Sequence, residues 1–215
     1  MSKHIVLYAK IVLIFTALIW GSSFFVMKIV ANVFPTPFLM AIRYTAGTAV
    51  LALVFFPRLP QMREKRYMIG AVTTGVTQMV AYLLQTLGLA WDTSPGKSAF
   101  LTAAYCVFVP FITWLLLRRR PSGWQFLAAF ICISGIGLLS LTESLSISPG
   151  DGVTLLGSIV TVLNIIAISH AGMKGCDPIL LTIGQLGVAG ILSWFLTLLL
   201  GTLSTASPPL ISWIN

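Results

Sequence analysis

The chain has 215 residues, of which 57% are hydrophobic and 8% charged, with 13 Lys and Arg against 5 Asp and Glu. A soluble domain carries about 25% charged residues, so there are too few charges here to coat a water-facing surface, and apolar runs matched to a hydrocarbon core of roughly 30 Å recur along the chain. The composition is that of a polytopic membrane protein, in which the formal charge of +8 marks cytoplasmic loops rather than nucleic-acid contacts.

The N-terminal Lys3 and Lys10 precede an apolar stretch that runs to Val33. That is too long for the apolar core of a cleaved signal, so it reads as a retained signal anchor and a first span over about 10–32. Within it stands "IWGSSFFVMK", Ile19–Lys28. Trp20 offers a broad aromatic surface with one N–H donor. Gly21, Ser22 and Ser23 suit either close helix packing or a local weakening of the helix. Lys28 lies about a turn from the outer helix end, where it can snorkel.

Pro35 and Pro37 open a second span over about 36–56, and Pro57 and Pro60 close it. Arg43 sits roughly 10 Å inside this span at the helical rise. A guanidinium at that depth needs a partner: backbone carbonyls, a hydrated cavity, the Asp92 carboxylate or an anionic substrate group. The third span, about 68–90, carries Thr74, Gln78, Tyr82 and Gln85 on one stripe. The fourth, about 95–117, opens at Pro95 and carries Ser98, Thr102 and Tyr105, with Pro110 predicting a kink. Its "SPGKS" start contains the GKS of a phosphate-binding loop, but Trp91 stands where the first glycine is required. A helix capped by Asp92, Thr93 or Ser94 explains it better.

A fifth span covers about 123–141, and "SISPGDG" (Ser146–Gly152) reads as a connector. The sixth, about 153–171, carries Thr161 and Asn164. Asp177-Pro178 opens the seventh, about 178–201, which carries Thr182 and Gln185. With Thr16, Trp20 and Ser23 in the first span, polar stripes recur on helix after helix. Amides facing lipid are expensive, so the stripes should face inward. They serve either interhelical hydrogen bonding or a partly wet pathway, and their recurrence favours the pathway.

Loop charges set the orientation. Arg58, Arg63, Lys65 and Arg66, then Arg118, Arg119 and Arg120, then Lys174 lie in alternate loops with the N-terminal lysines. The opposite loops hold mainly Asp92, Lys97, Glu143 and Asp151. The N-terminus is therefore expected in the cytoplasm of a cell-membrane protein, with Asn215 outside after seven spans.

"TPFLMAIRYTAGTAVLALV" (Thr36–Val54) aligns without gaps on "DPILLTIGQLGVAGILSWF" (Asp177–Phe195), Pro37 meeting Pro178 and Ala46-Gly47 meeting Gly187-Val188. An odd number of helices separates the copies, which makes them inverted in the membrane, a recurrent plan of secondary transporters.

"ALIWGSSFFVMK", "PFLMAIRYTAG" and the passage from "YLLQTLGLAWDTSPGKSAF" to "ISGIGLL", in that order, resemble the EamA-type transporters of the drug/metabolite transporter superfamily. The resemblance implies two inverted five-helix repeats with the substrate pathway between them. Here it implies an all-α integral membrane protein of seven transmembrane helices: one complete repeat over about 1–145, and the first two helices of a second over about 146–215. The chain departs from the pattern by ending there, with Ser204–Asn215 resembling the loop before an eighth helix. A truncated frame or fragment is the expectation, a dedicated seven-helix protein the other reading.

No nucleophile–base–acid set appears, His4 and His170 lie near span ends, and the acids lie in loops or at span ends, so an enzyme is not expected. Cys106, Cys132 and Cys176 form no CxxC pair or metal cluster, and no cofactor is implied. The first span lacks the acidic residue essential in small multidrug-resistance proteins. Lys28 and Arg43 suit a carboxylate-bearing metabolite, such as an amino acid, better than a lipophilic cation. The candidate substrate-binding residues are Arg43, Trp20, Ser23, Gln78, Gln85, Thr102, Tyr105, Asn164 and Gln185. The expected partners are the lipid bilayer and a small-molecule substrate, with a homodimer as one option and no nucleic acid. A non-transporting fragment and a membrane enzyme are the alternative functions.

Overall fold

The structure, a computed structural model, describes residues 3–91, 93–118, 122–142 and 148–201. Asp92, Arg119, Arg120, Glu143 and the segment Ser204–Asn215, all used in the sequence reading, lie outside the described residues.

The described residues form α1 (Lys3–Ala31), α2 (Thr36–Val54), α3 (Lys65–Ala90), α4 (Pro95–Ala103), α5 (Tyr105–Leu117), α6 (Gly123–Thr142), α7 (Pro149–Met173) and α8 (Pro178–Leu199), with a 3₁₀ stretch Phe56–Arg63 between α2 and α3. Six helical stretches are long and apolar enough to cross a membrane: Leu7–Ala31, Thr36–Val54, Lys65–Ala90, Pro95–Leu116, Pro149–Met173 and Pro178–Leu199. Gly123–Gly135, within α6, is a shorter apolar stretch. Each apolar segment anticipated from the sequence is thus helical, and the chain is an all-α integral membrane protein.

Local chemistry sets the helix starts. Ser94 caps α4, its Oγ accepting from Lys97 N at 3.2 Å, and Asp177 caps α8, accepting from Ile179 N at 2.8 Å. Pro follows each of these caps, where its missing N–H costs nothing. The "SISPGDG" stretch is more than a connector. Ser148 Oγ accepts from Asp151 N while Asp151 Oδ2 accepts from Ser148 N, a capping box that starts α7 at Pro149, earlier than apolar content alone suggests. The fourth span breaks at Ala104, whose N–H is shared between Phe100 O and Leu101 O, six residues before the Pro110 expected to kink it. The first helix begins at Lys3, so both N-terminal lysines ride on it.

Helix α3 is the centre of the bundle. It packs against α7 and α8, and α8 packs in turn on α2; α4 and α5 lie on α7, α6 lies on α4 and α5, and α1 leans on α3 and α4. Missing side chains permit the central contacts. A Cβ at Gly88 would collide with Thr154 Oγ1, and one at Gly75 would lie 2.6 Å from Val188 Cβ. Between helices in lipid, such close backbone approach replaces the hydrophobic drive available in water.

The helix ends sort the polar groups into two sets. At one end, Arg58 lies 3.8 Å from Asp177, Arg66 Nη1 donates to Lys174 O at 3.3 Å, and Asp177 N–H donates to Tyr67 Oη at 2.9 Å. This basic end joins the 3₁₀ stretch to the starts of α3 and α8 and the end of α7. Because the end of α2 and the start of α8 meet there, those two helices run antiparallel. At the opposite end, Lys28 Nζ donates to Leu89 O and to Trp91 O, at the end of α3. Lys28 therefore does more than reach the interface: its charge sits on carbonyls at the negative end of the α3 dipole.

Candidate functional site

Polar and aromatic residues of the spans form two groups. One group ties helices together. Asn164 in α7 is buried and donates to Thr74 O at 2.8 Å and Thr77 Oγ1 at 2.9 Å, both on α3. Gln185 in α8 donates through Nε2 to Gln78 Oε1 on α3 at 2.9 Å. Trp194 of α8 donates to Thr45 Oγ1 of α2 at 2.9 Å and meets the Phe38 ring edge-on. Gln85 is buried on α3 against α7: its backbone N would lie 3.2 Å from a Cβ at Gly157. An amide pair between helices satisfies groups that lipid cannot, and Asn164, Gln78 and Gln185 do so where α7 and α8 meet α3.

The second group surrounds open space between α1 and the α4–α5 break. Trp20, Gly21 and Phe24 of α1 face Thr102, Ala103 and Tyr105 across a cavity of about 230 Å³. Gly21 has nothing within 4 Å of where a Cβ would be, so here it opens a wall rather than admitting a neighbour. Ser23 is half-buried nearby, but its hydroxyl donates to Trp20 O at 2.6 Å within its own helix. Ser98 and Thr102 are one helical turn apart on α4, and both hydroxyls are buried without a hydrogen-bond partner among the described residues. A buried hydroxyl left unpaired costs about 1–3 kcal/mol. Thr102, which lines the cavity, offers a donor and an acceptor there to a water or a polar solute.

Arg43, on α2, is not among the residues that line this cavity. Its guanidinium carbon lies 5.2 Å from the centre of the Tyr82 ring, a cation–π contact between α2 and α3. Tyr82 meets Tyr44 edge-on at 6.5 Å, and the Tyr44 hydroxyl is buried without a partner among the described residues. Arg43 is exposed, and no carboxylate among the described residues pairs with it. Asp92, the carboxylate offered by the sequence, is outside the described residues.

Two stripe members do not face inward. Thr16 and Thr182 are exposed and donate to Val12 O and Pro178 O of their own helices, each at 2.8 Å. Hydroxyls that bond back to the i−4 carbonyl need no inward partner.

One pair is not legible as a pair in the sequence. Lys97 Nζ lies 2.5 Å from Asp151 Oδ2, and Asp151 Oδ1 accepts from Thr93 Oγ1 at 3.1 Å. Taken along the chain, both charges read as outer-loop residues. The available signal is their position: each lies in the first turn of an apolar helix, behind a Ser-Pro start.

A bundle of apolar helices with buried polar side chains, unpaired hydroxyls and a cavity between helices defines a polytopic membrane protein with a polar interior. The family described as EamA-like transporter matches residues 7–141, and the chain belongs to that family. An uncharacterized transporter of Archaeoglobus fulgidus is 29% identical over 169 residues, which is 76% of this chain and 50% of that relative. The chain thus spans about half the length of the curated relative it matches. No solved structure matches the chain. The family and the relative point to a membrane transporter rather than an enzyme.

Proposed function

We propose that the chain forms part of a cell-membrane transporter for small carboxylate-bearing metabolites, amino acids among them, and that Arg43 holds the carboxylate. The observation that carries this reading is Arg43 itself. It lies about 10 Å inside α2 by the helical rise, exposed beside an aromatic ring, with no carboxylate partner among the described residues. A guanidinium fork matches a carboxylate with two parallel hydrogen bonds, which a point charge cannot reproduce. Trp20, Thr102 and Tyr105 supply the aromatic and hydroxyl surface of the cavity between α1 and α4, a second part of the proposed pathway. Gln78, Gln185 and Asn164 hold α3 to its neighbours, and Gln85 and Ser23 are the remaining residues of the proposed site. The antiparallel packing of α2 on α8 supports the inverted-repeat relation of Thr36–Val54 to Asp177–Phe195.

Uptake of a panel of amino acids and organic acids into proteoliposomes containing the purified chain tests the reading. Arg43→Gln should abolish uptake with the thermal midpoint unchanged, and Arg43→Lys should recover only part of it. A well-folded Arg43→Gln protein with normal uptake removes Arg43 from the site. If both substitutions instead lower the yield of folded protein and leave uptake per molecule intact, the guanidinium has a structural partner.

A further inference from the structure

At the basic end of the bundle, α3 and α7 part to leave a groove of about 580 Å³. Its rim carries Lys65, Arg66, His170 and Lys174, and its walls below the rim are Ile69, Leu163, Ile166 and Ala167. From Lys65 to Thr73 the groove runs about 12 Å along α3 by the helical rise, from the helix end into the apolar span. Arg66 is engaged, pairing with Glu64 at 2.7 Å and donating to Lys174 O. The ammonium groups of Lys65 and Lys174 have no hydrogen-bond or ion-pair partner among the described residues, and both residues are exposed.

We propose that this groove binds one anionic phospholipid from the leaflet at the basic end, the cytoplasmic leaflet under the positive-inside orientation. The headgroup phosphate sits between the Lys65 and Lys174 ammonium groups, within reach of the His170 ring. An acyl chain lies along Ile69, Leu163 and Ile166. The order of chemistry along the groove, cationic at the membrane edge and apolar below it, is that of an amphiphile standing in a bilayer. A soluble anion has no use for the apolar length, and a neutral lipid or an apolar helix has none for two unpaired ammonium groups. Basic pockets between spans at this level are suited to acidic headgroups. The inference is independent of Arg43 and of the transported substrate.

Native mass spectrometry of the purified chain in detergent tests it, with phosphatidylglycerol, phosphatidylcholine of the same acyl chains, and inorganic phosphate as probes. Phosphatidylglycerol should bind about tenfold or more tightly than phosphatidylcholine, since each cation near an anionic headgroup contributes about fivefold. Lys65→Gln with Lys174→Gln, both at exposed positions, should erase that preference and leave phosphatidylcholine binding unchanged. Ile69→Trp, which fills the groove from an exposed position, should weaken phosphatidylglycerol while the thermal midpoint holds. Equal binding of the two lipids, a preference that survives the double substitution, or phosphate bound as tightly as phosphatidylglycerol would each overturn the proposal.

Discussion

Lys97 Nζ lies 2.5 Å from Asp151 Oδ2, and both side chains are almost wholly withdrawn from the surface. The pair joins the first turn of α4 to the first turn of α7, and Thr93 and Ser148 satisfy the remaining carboxylate valences. Removing one partner leaves the other charge buried. Asp151→Asn should destabilise the folded protein by about 3 kcal/mol, the lower end for a buried pair because this one lies at the helix ends. Combining Lys97→Met with Asp151→Leu should recover much of that loss, since no charge then needs desolvating. Denaturant unfolding in detergent measures both, and a double variant as unstable as Asp151→Asn would contradict the ion-pair account.

The close approach of α3 to α7 rests on Gly88. A Cβ there would collide with Thr154 Oγ1 and lie 2.7 Å from Gly150 O. Gly88→Ala should cost about 1–3 kcal/mol through overpacking. Gly96, with nothing within 4 Å of where its Cβ would stand, provides the contrast. Gly96→Ala should be neutral or stabilising by up to about 1 kcal/mol, because alanine favours the helix. Thermal unfolding followed by exposure of the buried Cys176 thiol reads out both.

The two groups of polar residues should separate by chemical access. After replacement of the native cysteines, Trp20→Cys and Thr102→Cys should react with a membrane-impermeant thiol reagent, because they line the cavity beside α1. Asn164→Cys should stay protected, because that position is buried against α3. Its loss should also cost about 0.6–2 kcal/mol of stability, the range for interhelical hydrogen bonds in lipid. Equal labelling at all three positions would erase the distinction between pathway and tie.

The basic end predicts an orientation. A reporter active only in the cytoplasm should give signal when inserted after Gln61, in the 3₁₀ stretch beside Arg58 and Arg63. Inserted after Trp91, at the opposite end of α3, it should be silent. The reverse pattern would invert the topology.

The sequence alone determined that this is a helical membrane protein and where nearly every span lies. Hydrophobic run length and the Pro, Ser and Asp start signals are local properties, and a chain in lipid must close its backbone hydrogen bonds within each helix. It also carried the family, through an ordered set of motifs. Only the tertiary structure decided what each polar residue meets. The stripes of Gln78, Asn164 and Gln185 look like those of Trp20, Thr102 and Tyr105 along the chain. Which of them form ties and which line a cavity depends on how closely α3 approaches α7 and α8, and how far α1 stands from α4. The close approaches of α3 rest on glycines on one helix meeting atoms of another, whereas Gly21 beside the cavity meets nothing within 4 Å. Lys97 and Asp151 read as loop charges for the same reason: a pairing across more than fifty residues of chain exists only once α4 and α7 are packed.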